Sequence, residues 1–260
     1  MNNVHPDWIV PDWPAPGNVR AFITTRAGGT SGGPYASFNL GLRTEDDPAA
    51  VAANRAALRS LLPQEPVWLR QVHGNRVVDA DAWPTAPEVN ADAPPATPEA
   101  DAAIARNPGT VCAVLVADCV PVLLADRAGG SVAVAHAGWR GLAGGVVENT
   151  VRGMQCPPAE VLAFLGPGIG PRAFEVGADV REAFVDDDPG AQSAFVPHTP
   201  GKWLADLFTL ARRRLARAGV SRVFGGGLCT HSDPARFYSH RRNPVTGRMA
   251  ALIWRAPEKE

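Results

Sequence analysis

Between residues 110 and 137 the chain carries three Val-rich stretches, TVCAVLVAD, VPVLLAD and SVAVAHA, separated by Asp118-Cys119 and by the turn Arg127-Ala128-Gly129-Gly130. Each is too short for a typical helix and too apolar to leave a face in water. Stretches of this kind are strands covered on both faces. The rest of the chain must therefore supply a layer on either side of a central sheet.

The flanking segments offer those layers. VRAFITT (19–25) alternates and is β-branched, which predicts a strand, and a long Gly-rich loop follows it. Asp46 or Asp47 as N-cap, with Pro48 at the first helical position, predicts a helix through residues 49–62. Residues 66–74 and 75–80 read as a hairpin with His73-Gly74-Asn75 at its turn, and residues 84–98 read as a loop. Residues 141–154 read as a helix weakened by its glycines, 161–166 as a strand, and 177–185 and 202–219 as helices. The last of these places Leu204, Leu207, Phe208, Ala211 and Leu215 on one face, and Gly219 ends it. Residues 220–228 and 248–254 read as the final strands. The sum is an α+β fold: one domain, residues 19–260, of mixed β-sheets flanked by helices, behind an N-terminal extension, residues 1–18.

Composition narrows the function classes. The chain has 260 residues, with 25 basic against 26 acidic and a net charge of −1. Without a surplus of Lys and Arg to neutralise phosphates, a nucleic-acid partner is not expected. No apolar run approaches the ~20 residues of a membrane span, and no secretory signal opens the chain. A cytoplasmic protein is the expectation. Four cysteines (Cys112, Cys119, Cys156, Cys229) are too few for a disulfide scaffold of this size, so reduced thiols or a metal site are expected.

Of the six histidines, His73 and His136 each end a predicted strand beside or near a glycine, and Cys119 sits at the break between two apolar strands. Strand ends of this kind present side chains to a cleft. Two imidazoles and a thiolate make a three-ligand zinc site with an open fourth position, and they also suit copper. The plainer alternative is a small core cysteine and two structural histidines. HAGWRGLAGG (136–145) is a strand end followed by a helix start; with Arg140 it offers either an anion site or an ordinary turn. Arg26 is a second Gly-flanked arginine, while Arg241, Arg242 and Arg248 read as solvated loop charges. Asp118 directly precedes Cys119, so in an extended chain the two face opposite ways. Asp101 could orient a metal-bound histidine, carry a proton, or be a loop acid.

Taken together, TTRAGGTSGGPYASFNLG, RQVHGNRV, ADAAIA, ADCVPVLLAD, AHAGWRGL, FLGPGIGPRAFEVG and SHRRNPVTGRMAALIW resemble one family, in family order from about residue 20 to the end. It comprises zinc-containing purine nucleoside phosphorylase and adenosine deaminase proteins, related to bacterial peptidoglycan-editing factors and earlier labelled polyphenol oxidase or laccase-domain proteins. The resemblance implies that His73, Cys119 and His136 bind zinc, with copper as the alternative, and line the active site. It makes Arg26, Asn39 and Arg140 candidate substrate or phosphate contacts and Asp101 a candidate catalytic acid. Two departures, Ser-His-Arg-Arg (239–242) and Pro-Arg-Ala-Phe (171–174), fall at the expected rim of the site.

The activity so implied is phosphorolysis of adenosine, inosine and methylthioadenosine, together with adenosine deamination. The partners would be a purine nucleoside and phosphate, and the protein a monomer, with a dimer as the alternative. A laccase proper needs several coppers, and six histidines with no His-x-His pair do not supply them. Two rivals use the same residues: an editing enzyme acting on peptidoglycan precursors, and a metal-free cysteine hydrolase with Cys119 as nucleophile.

Overall fold

Val132 and Val134 pack into one apolar core while Ala133 and Ala135 pack into another, so the stretch ending at His136 is a strand buried on both faces. The structure, a computed structural model, describes residues 4–83 and 97–256. In chain order its elements are β1 (Val19–Ile23), α1 (Pro48–Arg59), β2 (Val77–Asp79), β3 (Ala102–Ala105), β4 (Val111–Val116), β5 (Val120–Asp126) and β6 (Val132–Ala137). Then follow α2 (Trp139–Ala143), α3 (Val146–Gly153), β7 (Val161–Leu165), β8 (Glu175–Val176), α4 (Ala178–Val185), β9 (Phe195–Pro197), β10 (Trp203–Ala205), α5 (Leu207–Arg217), β11 (Arg222–Gly225) and β12 (Met249–Arg255).

The strands form three sheets. The central one runs β11-β7-β5-β6-β3-β2, parallel at its two outer pairs and antiparallel within. A second sheet, β1-β12-β4, is wholly antiparallel, and β8-β10-β9 form a small third one. One face of the central sheet packs on α2, α3, α4 and α5 through Ile104, Val122, Leu142, Val151 and Leu215. Its other face packs on β1-β12-β4 through Val114, Leu123, Val134 and Ile253. The far side of that second sheet is closed by α1 and by Trp8, which stacks on Phe22 at 5.3 Å. The result is an α+β fold of four layers, with two sheets face to face inside helices.

Local sequence accounts for the elements it controls. Asp47 caps α1 by accepting from the Ala49 N–H at 2.9 Å, with Pro48 at N1. Asp206 caps α5 by accepting from Phe208 and Thr209. That cap corrects the expected start of the helix: residues 203–205 pair with β8 and β9 as β10, so Leu204 lies on a strand. The helix expected over 141–154 is two helices, α2 and α3, broken at Gly144-Gly145, where Gly145 has φ of 88°. The expected hairpin over 66–80 does not form. β2 instead pairs in parallel with β3, and residues 66–74 make only isolated bridges, Val67 to Cys112 and Arg70 to Glu99. The loop expected over 84–98 lies largely outside the described residues.

The Val-rich strands also separate. β4 belongs to the second sheet and β5 to the central one, so the chain crosses between sheets at Asp118-Cys119. Asp118 has φ of 96° there, which takes it out of extended geometry. Among the described residues no helix is long and apolar enough to cross a membrane.

Candidate metal centre

Three separate stretches converge at this crossing. Cys119 immediately precedes β5. His136 lies near the end of β6, opposite Pro121 of β5. His73 sits in the loop before β2, with φ of 61°. One ligand atom from each of the three lies within 4.8 Å of the other two. The rings of His73 and His136 meet edge to face at 4.9 Å between centroids. His136 is buried, Cys119 half-buried and His73 exposed.

Asp101, directly before β3, fastens this arrangement. Its carboxylate is fully buried. Oδ1 lies 2.8 Å from His136 Nδ1 and accepts from the His73 N–H at 2.9 Å; Oδ2 accepts from the Val72 and Gly74 N–H groups at 3.1 and 2.7 Å. Three successive N–H groups wrapped on one carboxylate explain why residues 72–74 leave extended geometry and why no hairpin forms. Burial pushes this carboxyl up, but His136 and the loop N–H groups bring it below its ordinary value. Asp101 is therefore ionised, with both oxygens engaged.

The same contacts set the electrostatics of the ligands. Burial raises the Cys119 thiol, yet the neighbouring His136 and His73 outweigh it and bring it down to about 6. Burial lowers His136, while the Cys119 thiolate and Asp101 raise it to about 9. An anionic sulfur beside two imidazoles is a soft, three-donor set with the composition of an open zinc site. Asp101 on Nδ1 of His136 leaves Nε2 as the ligating nitrogen, the usual second contact of a metal-bound histidine. Gly138 keeps the space clear: a Cβ there would lie 2.7 Å from Cys119 Sγ and 3.2 Å from His73 Cδ2. The donor set and the cradle fit a metal ion.

The centre opens into a cleft of about 830 Å³. Five arginines line it: Arg43, Arg55, Arg140, Arg241 and Arg248. Phe174 and His240, from the two segments that depart from the family pattern, line it too. Asp118 and Cys119 both face the cleft, contrary to the expected opposition, because the positive φ at Asp118 turns the chain. Asp118 accepts from Thr230 Oγ1 at 2.6 Å and from the Arg241 N–H at 2.7 Å, tying two loops to the crossing.

The remaining sequence candidates divide. Arg140 reaches the cleft, with its guanidinium 4.3 Å above the Trp139 ring. Arg26 is not among the cleft residues: it donates to the Ala36 and Pro234 carbonyls and lies over Tyr238. Asn39 is fully buried and bonds Thr44, Asp46, Gly41 and the Arg248 N–H, so it organises the loop behind the cleft. Arg241 and Arg248, expected as solvated charges, are cleft residues; Arg242 donates to the Thr230, His231 and Phe237 carbonyls. All four cysteines are unpaired, and only Cys119 joins the centre. The arginines were hidden because their cleft contacts lie with residues far away in the chain.

Comparison with known proteins adds a family and relatives. The profile of the family described as multi-copper polyphenol oxidoreductase laccase matches residues 20–256. Purine nucleoside phosphorylase PA4543 of Pseudomonas aeruginosa is 52% identical over 248 residues, covering 95% of this chain and 98% of the relative. Purine nucleoside phosphorylase YfiH of Escherichia coli is 50% identical over the same coverage. Among solved structures, protein NMB0706 of Neisseria meningitidis superposes with a TM-score of 0.90 at 48% identity, covering 96% of this chain and all of that one. YlmD of Geobacillus stearothermophilus superposes with a TM-score of 0.86 at 33% identity, covering 96% of each.

Proposed function

The chain belongs to the family described as multi-copper polyphenol oxidoreductase laccase, and from that premise we propose that it is a zinc-dependent purine nucleoside phosphorylase that also deaminates adenosine. The observation that carries the reading is the pairing of a single three-donor centre with an arginine-lined cleft. Such a cleft suits an uncharged base and sugar lying beside an anion. The two curated relatives at 50% and 52% identity bear the phosphorylase name. Multi-copper electron transfer finds no matching layout: among the described residues one group of three such ligands exists.

His73, Cys119 and His136 would hold the metal, and zinc is preferred over copper because two imidazoles and a thiolate give Zn2+ three ligands and an open fourth position for water or substrate. When bound, zinc supplies a Lewis acid and an acidified water. Asp101 is assigned as a positioning residue for His136, not a proton carrier, since its oxygens are committed. In phosphorolysis a phosphate oxygen bonds C1′ as the C1′–N9 bond breaks. The electron pair leaves with the purine, and the proton of hydrogen phosphate ends on the released base. The products are ribose 1-phosphate and free purine. The arginines hold the anion in line, which is an orienting and electrostatic contribution. In deamination the water oxygen bonds C6 and the exocyclic C6–N6 bond breaks; one water proton leaves with N6 as ammonia and the other stays on the inosine lactam.

The test is a paired assay on metal-quantified protein: adenosine and inosine, each with and without phosphate, followed by product chromatography. Phosphate-dependent release of adenine and hypoxanthine with about one zinc per chain is the expected result. Inosine from adenosine without phosphate establishes the deaminase. Zinc without turnover redirects the reading to a peptidoglycan precursor. Neither metal nor turnover leaves the metal-free hydrolase, in which the lowered thiol of Cys119 is the nucleophile.

A further inference from the structure

Five arginines line the cleft, and among the described residues none of them forms an ion pair. They differ in how they are held. Arg43, Arg140 and Arg241 are exposed, and Arg241 spends one nitrogen on the Glu175 carbonyl at 2.9 Å. Arg55 is half-buried but its guanidinium lies over the Trp68 ring at 4.0 Å, with Nε donating to the Leu40 carbonyl. Arg248 combines three properties. It is half-buried. Its Nη1 is pinned by the Thr246 and Gly247 carbonyls at 2.8 and 3.0 Å. Its Nε and Nη2 have no hydrogen-bond partner among the described residues, leaving two parallel donors for the cleft. It lines the same cleft as Cys119 and Asp118; burial pulls its guanidinium below the ordinary arginine value, against the raising charges of those two residues.

A desolvated cation held at one nitrogen and open at the other edge is built for a bidentate oxyanion. Its support is also built. Asn39 Oδ1 accepts from the Arg248 N–H at 2.8 Å, and the Leu40 N–H donates to the Arg248 carbonyl at 3.1 Å. Gly41 supplies the space for the stem: a Cβ there would lie 2.9 Å from Arg248 Cγ. Asn39 and Gly41 come from a loop some two hundred residues away in sequence.

We propose that Arg248 is the phosphate-holding residue of the cleft and that Asn39 and Gly41 are its positioning residues. The inference rests on the phosphorylase reading above for its choice of anion. Arg248 grips two phosphate oxygens through Nε and Nη2, facing the centre formed by His73, Cys119 and His136. Asn39, which the family resemblance marks as a substrate contact, acts through the main chain of Arg248.

The experiment has two arms on the full-length, zinc-loaded protein. In the first, inorganic phosphate alone is titrated into wild type, Arg248→Lys and Arg248→Ala by calorimetry. In the second, initial rates of inosine phosphorolysis are measured against phosphate and against inosine. Losing a charge-assisted bidentate contact predicts a rise in KM for phosphate of at least about tenfold in Arg248→Ala, with KM for inosine within about twofold. Arg248→Lys, a point charge without the fork, falls between the two. Gly41→Ala, which leaves the guanidinium intact but displaces its stem, shifts KM for phosphate in the same direction by less. Should Arg248→Ala not fold, the lysine and Gly41 variants decide. Unchanged phosphate KM and affinity in these variants, or an equal rise in both KM values, overturns the proposal. If wild type turns over no inosine, the phosphorylase reading fails and the calorimetric arm alone judges Arg248. Phosphate binding lost in the variants then still supports it, and no phosphate binding to wild type overturns it.

Discussion

Two sets of arginines divide this molecule. On α5 and its surroundings the guanidinium groups meet carboxylates: Arg213 grips Asp188, Arg217 grips Asp187, and Arg214, 6% exposed, bridges Glu148 and Asp187 and donates to the Ala143 carbonyl. In the cleft, five arginines gather beside a thiolate-bearing centre with no ion pair among them. The same side chain is used in one place to close a structure and in the other to leave charge unanswered. The difference lies in what surrounds it. Asp187 and Asp188 meet the arginines of α5, whereas in the cleft, whose wall also carries Glu65 and Asp118, Arg55, Arg241 and Arg248 donate to main-chain carbonyls and Arg55, Arg140 and Arg241 lie over aromatic rings. The α5 set is held by carboxylates, whereas the described cleft arginines are held without them.

Variants can break that contrast. The largest effect is expected at the centre itself: Cys119→Ala removes the soft donor, and both bound metal and turnover fall to background, read by elemental analysis and the paired assay. Stoichiometric zinc retained in that variant refutes the ligand assignment. Next is Asp101→Asn, which keeps the shape of the side chain but weakens its hold on His136. Metal affinity is expected to drop about 10–100-fold, measured by competition with a chelator. An unchanged affinity would reduce Asp101 to a loop-forming acid. Arg140→Ala removes an exposed cation from the cleft wall, so KM for phosphate rises about threefold, less than in Arg248→Ala, while adenosine deamination is unaffected. Equal loss in both reactions would make Arg140 structural. The smallest kinetic effect belongs to the paired set. Arg214→Ala leaves kcat/KM per folded molecule unchanged but costs about 3 kcal/mol in denaturant unfolding, because half-buried Glu148, its Oε2 already unsatisfied, loses its cation. A catalytic defect there would erase the distinction between the two sets.

What could be read from the sequence follows the same line between local and distant causes. α1 was legible because Asp47 and Pro48 specify its start within two residues. The doubly buried β5 and β6 were legible from their unbroken apolar content. β3 was not, because AAIA carries little strand preference and is a strand only through its pairing with β6 and β2. The hairpin over 66–80 failed because Asp101, far along the chain, captures the N–H groups of residues 72–74. The grouping of His73, Cys119 and His136 was suggested by strand ends near glycines, and by the resemblance. The role of Gly138 as a cleared space, and that of Asn39 behind Arg248, depend on atoms no local pattern brings together.

Asp101 Oδ1 serves two masters, the ring of His136 and the main chain of His73. The ring of His136 and the backbone that carries the His73 side chain are thereby yoked to one atom, although the two residues stand on different elements. The anchor point of one imidazole and the ring of the other are thus set relative to each other before any ion arrives. For a metal held as proposed, binding at His136 would present His73 at high effective concentration. Metal capture should then be cooperative in its ligands: loosening Asp101 frees the His136 ring and the loop that carries His73 at once.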